Sequence, residues 1–168
     1  MVDERLENEF RKVTAAATEL LKPLGFKKRG RTLYRSSDRN LALVEFQRST
    51  TNARENLKLT VNVGIVSGYL ANRHELDLRK AGAADAHLRT RIGTFLSEPH
   101  DKWWELHASE NSDVAIAEIL TLLKHRVVPY LDAHTTDDAL IALWETGQSP
   151  GLTSTLRTRY LAELMERA

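Results

Sequence analysis

Three polar residues stand inside runs that otherwise read as strands: Gln47, Asn62 and Arg91. An arginine with two amides is suited to a carboxylate or a phosphate. The guanidinium donates in parallel pairs, and amides offer both donor and acceptor to fix orientation. If neighbouring strands bring the three to one sheet face, they form a ligand-binding cluster. The competing reading is structural. Arg91 would then pair with an acid such as Glu45 or Glu105, and the amides would close the sheet's own hydrogen bonding, because a buried polar group left alone costs about 1–3 kcal/mol.

Trp103 and Trp104 are adjacent, so on a strand they point to opposite faces. One belongs in the core; the other can line a pocket or anchor a partner. A separate constellation is basic. Lys27, Lys28, Arg29 and Arg31 crowd a predicted hairpin tip, with Phe26 and Tyr34 beside them. Cations interleaved with aromatics suit a nucleic-acid backbone or an acidic protein partner. Charge at exposed turns and edge strands also simply maintains solubility and blocks edge pairing.

Other chemistries find little support. Zero cysteines exclude disulfides, thiolate metal sites and a cysteine nucleophile. The six histidines show no two-histidine helix spacing, so no metal site is predicted, and no cofactor either. Gly64–Gly68 lacks the lysine of a phosphate-binding loop. No serine sits in a nucleophile elbow. The chain carries no recognisable catalytic motif, which leans away from an enzyme.

These residues need elements to position them. Leu6, Phe10, Val13, Ala17, Leu20, Leu21 and Leu24 repeat at three and four, predicting a helix from Glu4 to about Leu24 that Pro23 and Gly25 finish. A hairpin around Gly30 follows. Two alternating runs, Leu41–Arg48 and Leu57–Val66, predict paired strands, and short turns imply antiparallel pairing. Ser67–Ala86 reads as a loop with one helical turn. His87–Leu96 alternates again and predicts a strand that Ser97–Asp101 ends; Trp103–His107 predicts a short aromatic strand.

The remainder is helical. Ser109, Asn111 or Ser112 caps a helix expected to stop near Pro129. Thr135 or Thr136 caps the next, which Gly147 ends. Ser149-Pro150 is read as opening a third. The predicted fold class is α+β: an N-terminal helix packed on a mostly antiparallel five- or six-stranded sheet, followed by C-terminal helices. Residues 1–134 form the core domain, and 135–168 a helical extension packed on it.

The chain has 168 residues and a net charge of +1 that conceals an asymmetry. Lys22–Lys58 holds ten Lys/Arg against three Asp/Glu, and Glu98 to the end holds six against twelve. This marks either a basic binding face or two halves that neutralise each other. No run approaches the length of a membrane span, and the acidic Met1–Arg5 start does not resemble a secretory leader, so a cytoplasmic protein without membrane contact is expected.

Leu21-Lys22-Pro23-Leu24-Gly25-Phe26-Lys27-Lys28, Phe46-Gln47, Val61-Asn62-Val63-Gly64-Ile65, Arg91-Ile92-Gly93 and Trp103-Trp104 follow one another within about residues 5–131. With these motifs in this order the chain resembles a bacterial family known as domain of unknown function 4304. The resemblance implies a fold and a set of positions, and no reaction. Three functions follow from the residues. The first is a non-catalytic protein-binding module, toxin-neutralising or similar in role. The second is a small-ligand binder or enzyme using Gln47, Asn62 and Arg91. The third is nucleic-acid binding through the basic hairpin, with affinity that falls steeply with salt.

Overall fold

A computed structural model describes residues 3–51 and 54–167. Met1 and Val2, on which the leader reading partly rests, lie outside it, as do Asn52 and Ala53 of the segment between the two central strands.

Helix α1 (Glu4–Leu21) forms because Leu6, Phe10, Val13, Ala17 and Leu21 make one buried stripe, while the Asp3 carboxylate caps its start by accepting from the Arg5 amide at 2.7 Å. A 3-10 turn over Lys22–Leu24 and Gly25, at φ 92°, end it as expected.

The strands are β1 (Lys27–Arg29), β2 (Thr32–Ser37), β3 (Asn40–Arg48), β4 (Asn56–Val66), β5 (Leu88–Arg91) and β6 (Trp104–His107). They form one six-stranded sheet in the order β1-β2-β3-β4-β5, with β6 also against β4, and every pairing described is antiparallel. The predicted class and layout hold.

Period two gives the sheet two different faces. Ala42, Val44 and Phe46 of β3 and Leu57, Leu59, Val61, Val63 and Ile65 of β4 enter the main core. There the α1 stripe covers them, Phe10 meeting Phe46 edge to face at 6.5 Å. On the opposite face Leu41, Leu43 and Val66 join Ala71, Ala81 and Ala86 in a smaller cluster. Helix α2 (Gly68–Arg73) and the chain as far as Ala86 cover this part only. Glu45, Gln47, Asn62 and Arg91 continue the same face beyond that cover.

Three details depart from the sequence reading. The strand expected over His87–Leu96 stops at Arg91 and becomes a 3-10 turn, Ile92–Phe95. A Cβ on Gly93 would stand 1.9 Å from the His100 carbonyl oxygen, so the returning chain packs directly against this turn. Strands β5 and β6 thus lie along one long β4, separated by the excursion 92–103. Helix α3 (Asp113–Leu122) does not stop near Pro129. A π-turn over Leu123–Val127 carries it into α4 (Val128–Ala133), where Pro129 falls in the first turn and its missing N–H is tolerated. Helix α5 (Asp137–Glu145) is capped by Thr136. Helix α6 (Ser154–Met165) starts at Thr153, whose hydroxyl accepts from the Leu156 amide; Ser149-Pro150 does not open it and belongs to the preceding loop. Leu140, Trp144 and Leu164 from these last helices are buried in the same core as the sheet.

Candidate binding cleft

Glu45, Asn62 and Arg91 occupy one rung of the sheet. Glu45 is the register partner of Asn62 on β4, and Asn62 is the partner of Arg91 on β5. Gln47, two residues beyond Glu45, shares their face. The structure therefore brings Gln47, Asn62 and Arg91 together, in the floor and wall of a cleft of about 680 Å³. Ala83 and Ala84, Arg89, Thr90 and Thr94, and Gly151 complete its lining.

The floor is internally bonded. Asn62 Nδ2 donates to Gln47 Oε1 at 2.8 Å, so each amide fixes the other. Among the described residues this leaves the Gln47 NH2 and the Asn62 carbonyl for something else. Glu45 is anchored at one oxygen only: Oε2 accepts from Thr32 Oγ1 at 2.9 Å and from the Ala83 amide at 3.1 Å. The second bond ties the 3-10 turn Ala83–Asp85 to the sheet. Gly64 makes room for this cover, since a Cβ there would meet the Ala86 methyl at 2.6 Å.

Arg91 pairs with neither Glu45 nor Glu105. Its Nη1 donates to Asp101 Oδ2 at 2.8 Å, and its guanidinium lies 5.2 Å from the Trp103 ring centroid. Trp103 Nε1 donates to the same Asp101 oxygen at 3.1 Å. Partial burial works to raise the Asp101 pKa, but the bonds from Trp103 and Arg91 outweigh it and hold the carboxyl below its ordinary value. The excursion between β5 and β6 thus returns a carboxylate to the arginine. Buried Thr60 fastens that excursion by donating to the Lys102 carbonyl at 2.7 Å.

The remaining candidates divide. Trp103 is half-buried beside Arg91, whereas Trp104 is 5% exposed, pairs with Leu59 in the sheet and donates to Glu118 at 3.0 Å. Trp104 is a core residue and does not line the cleft. Lys27, Lys28 and Arg31 are exposed around the β1–β2 hairpin. Arg29 is not a free cation of that tip: it is half-buried, and its guanidinium donates to the carbonyls of Arg79 and Ala81, holding the cover over the second sheet face. The basic N-terminal half also meets the acidic C-terminal half directly, through Arg35 and Asp132.

Sequence reasoning passed over Glu45 and Arg89 as site residues. Both stand two places from a residue it chose, Glu45 from Gln47 and Arg89 from Arg91, and period two alone put each pair on one face. Nothing in the sequence pointed to Ala83, Ala84 or Gly151, which reach the cleft through loop packing. Among the described residues no three His, Asp or Glu side chains converge to hold a metal ion, and no helix is long and apolar enough to cross a membrane.

Fold and site together define an α+β protein whose single sheet is covered on one face and only half covered on the other, where polar side chains floor a cleft. The chain belongs to the family described as domain of unknown function DUF4304, whose model matches residues 17–133. No match was found among curated proteins or among solved structures.

Proposed function

We propose that this chain is a binding protein whose ligand, a small polar molecule, enters the cleft above Glu45, Gln47, Asn62 and Arg91. The observation that carries the reading is the rung Glu45–Asn62–Arg91 with the Gln47–Asn62 bond beside it, left uncovered beneath a cleft of about 680 Å³. Sheet positions are held by their ladders, so the polar groups on this rung are preorganised and a ligand need not order them. Here the floor presents a carboxylate and two amides, which favours a ligand recognised by hydrogen bonds and charge. Sequence alone put a protein partner first; the cleft is the feature that favours a small ligand.

Equilibrium dialysis of the protein and of an Asn62→Leu variant against a small-molecule cell extract, read by mass spectrometry, tests this. Leucine matches asparagine in size and removes both amide groups. The expected result is a compound enriched by the native protein and not by the folded variant. Equal enrichment by both, or none by either, would count against the cleft.

A further inference from the structure

We propose, on the reading that this cleft is the binding site, that it takes a zwitterion of about dipeptide length, with the ligand's ammonium on Glu45 and its carboxylate on Arg89.

Glu45 receives both of its hydrogen bonds at Oε2, from Thr32 and from the Ala83 amide, and both donors are neutral. Among the described residues no cation pairs with it, and its Oε1 accepts nothing. Arg91 is answered by Asp101. Arg89 is not answered by any described carboxylate. Its Nη1 donates to the Ala84 carbonyl at 3.3 Å and its Nε to the Gly151 carbonyl at 3.4 Å, long bonds that aim the side chain without neutralising it. The cleft therefore keeps one uncompensated negative charge and one uncompensated positive charge, and both line the same space.

That pattern discriminates. A wholly anionic ligand such as a phosphate would meet Arg89 but lie against the Glu45 carboxylate. A wholly cationic one would meet Glu45 but face Arg89. A ligand carrying both signs finds the opposite charge at each end, and the wrong partners are rejected by repulsion. Between the two ends, on β4, the Asn62 carbonyl offers an acceptor to a peptide N–H, and the Gln47 NH2 adds a donor from the rung beyond Glu45.

Length follows from the sheet. Glu45 and Arg91 are two strand spacings apart, roughly 10 Å between backbones, and Arg89 lies two residues along β5, about 7 Å further in the strand direction. Side chains reaching inward shorten this span but do not close it: no nitrogen of Arg89 comes within ion-pair distance of Glu45. A free α-amino acid, whose two charges share one carbon, is too short for both. A dipeptide places a peptide group between them.

The test is a 1H–15N NMR titration with three matched dipeptide panels: free, N-acetylated and C-amidated, alongside a panel of neutral polar fragments. The expected result is that free dipeptides shift the Glu45, Asn62 and Arg89 amides, and that blocking either terminus weakens binding by about tenfold or more. Glu45→Gln keeps an acceptor for Thr32 and Ala83, so the fold survives. It should abolish the difference between the free and N-acetylated panels while leaving the loss on C-amidation. If blocked dipeptides bind the cleft as well as free ones, or only neutral fragments shift its amides, the zwitterion is wrong and the binding reading stands. No cleft shift from any probe would overturn both.

Discussion

Asn62 stands at the centre of the central strand and touches every part of the account at the residue scale. Its bond to Gln47 is made between half-buried groups, so Asn62→Leu should cost only about 1 kcal/mol, read as a small drop in urea midpoint, while removing one of the two amides of the cleft floor. Glu45 holds more. Glu45→Ala leaves the Thr32 hydroxyl and the Ala83 amide without their acceptor and should cost about 1–3 kcal/mol by the same measurement. His87 gives a pH prediction. Its ring is deeply buried and Nδ1 accepts from the Ser67 amide at 3.1 Å. Burial first, then the nearby His74, pushes its pKa down to about 4 against the opposing pull of Glu163, Asp137 and Asp85. The folded state therefore keeps the ring neutral where the unfolded chain, titrating near 6.5, binds a proton. The stability this contributes, about 3 kcal/mol, is complete above pH 6.5 and is lost as pH falls towards 4. Urea midpoints should fall between pH 7 and pH 4.5, and His87→Gln should flatten that slope. An unchanged slope in the variant would place the acid sensitivity elsewhere.

Among the elements, those legible in the sequence are the ones whose burial imposes a period. The α1 stripe and the alternation of β3 and β4 were readable because each element buries one face, and burial imposes a period. The same rule failed at Leu88–Leu96, where alternation continued past the end of β5. Past that end the chain returns closely against Gly93 at His100, and a contact between separated residues leaves no period. Helix α2 is six residues long, too short to show a stripe, although Ser67 caps it by accepting from the Leu70 amide. Gln47, Asn62 and Arg91 stood out as polar residues at strand positions. Glu45 and Arg89 did not stand out, because in a chain this charged an acid or arginine on a strand resembles solvated surface until the register is known. Gly93→Ala tests the excursion itself. The added methyl cannot fit against His100 without moving the 93–102 segment, and should cost about 1–3 kcal/mol in thermal unfolding. It should also loosen the Asp101–Arg91 pair that this segment supplies.

For the molecule as a whole, the family match ends at residue 133, yet the core does not. Trp144 is 1% exposed and Leu140 and Leu164 are fully buried, all in the main cluster. The final helices are also pinned from outside: His74 meets Glu163 at 2.5 Å, Arg73 pairs with Glu166 at 2.8 Å, and Asn40 donates to Asp137 at 2.9 Å. Truncation after residue 134 should expose the apolar surface beneath Trp144 and cost at least about 3–5 kcal/mol, seen as a lowered or lost cooperative melt by circular dichroism. It would also remove Gly151 from the cleft, so the segment beyond the family match shapes the site as well as the core.

The half-covered sheet face is proposed as a binding site. Soaking crystals of the native protein with a chemically diverse fragment panel tests it most directly, because it reads position without presuming a ligand. Fragment density is expected in the cleft, bonded to Glu45, the Gln47–Asn62 pair or Arg89. Density confined to other surfaces, with the cleft passed over across the whole panel, would contradict it.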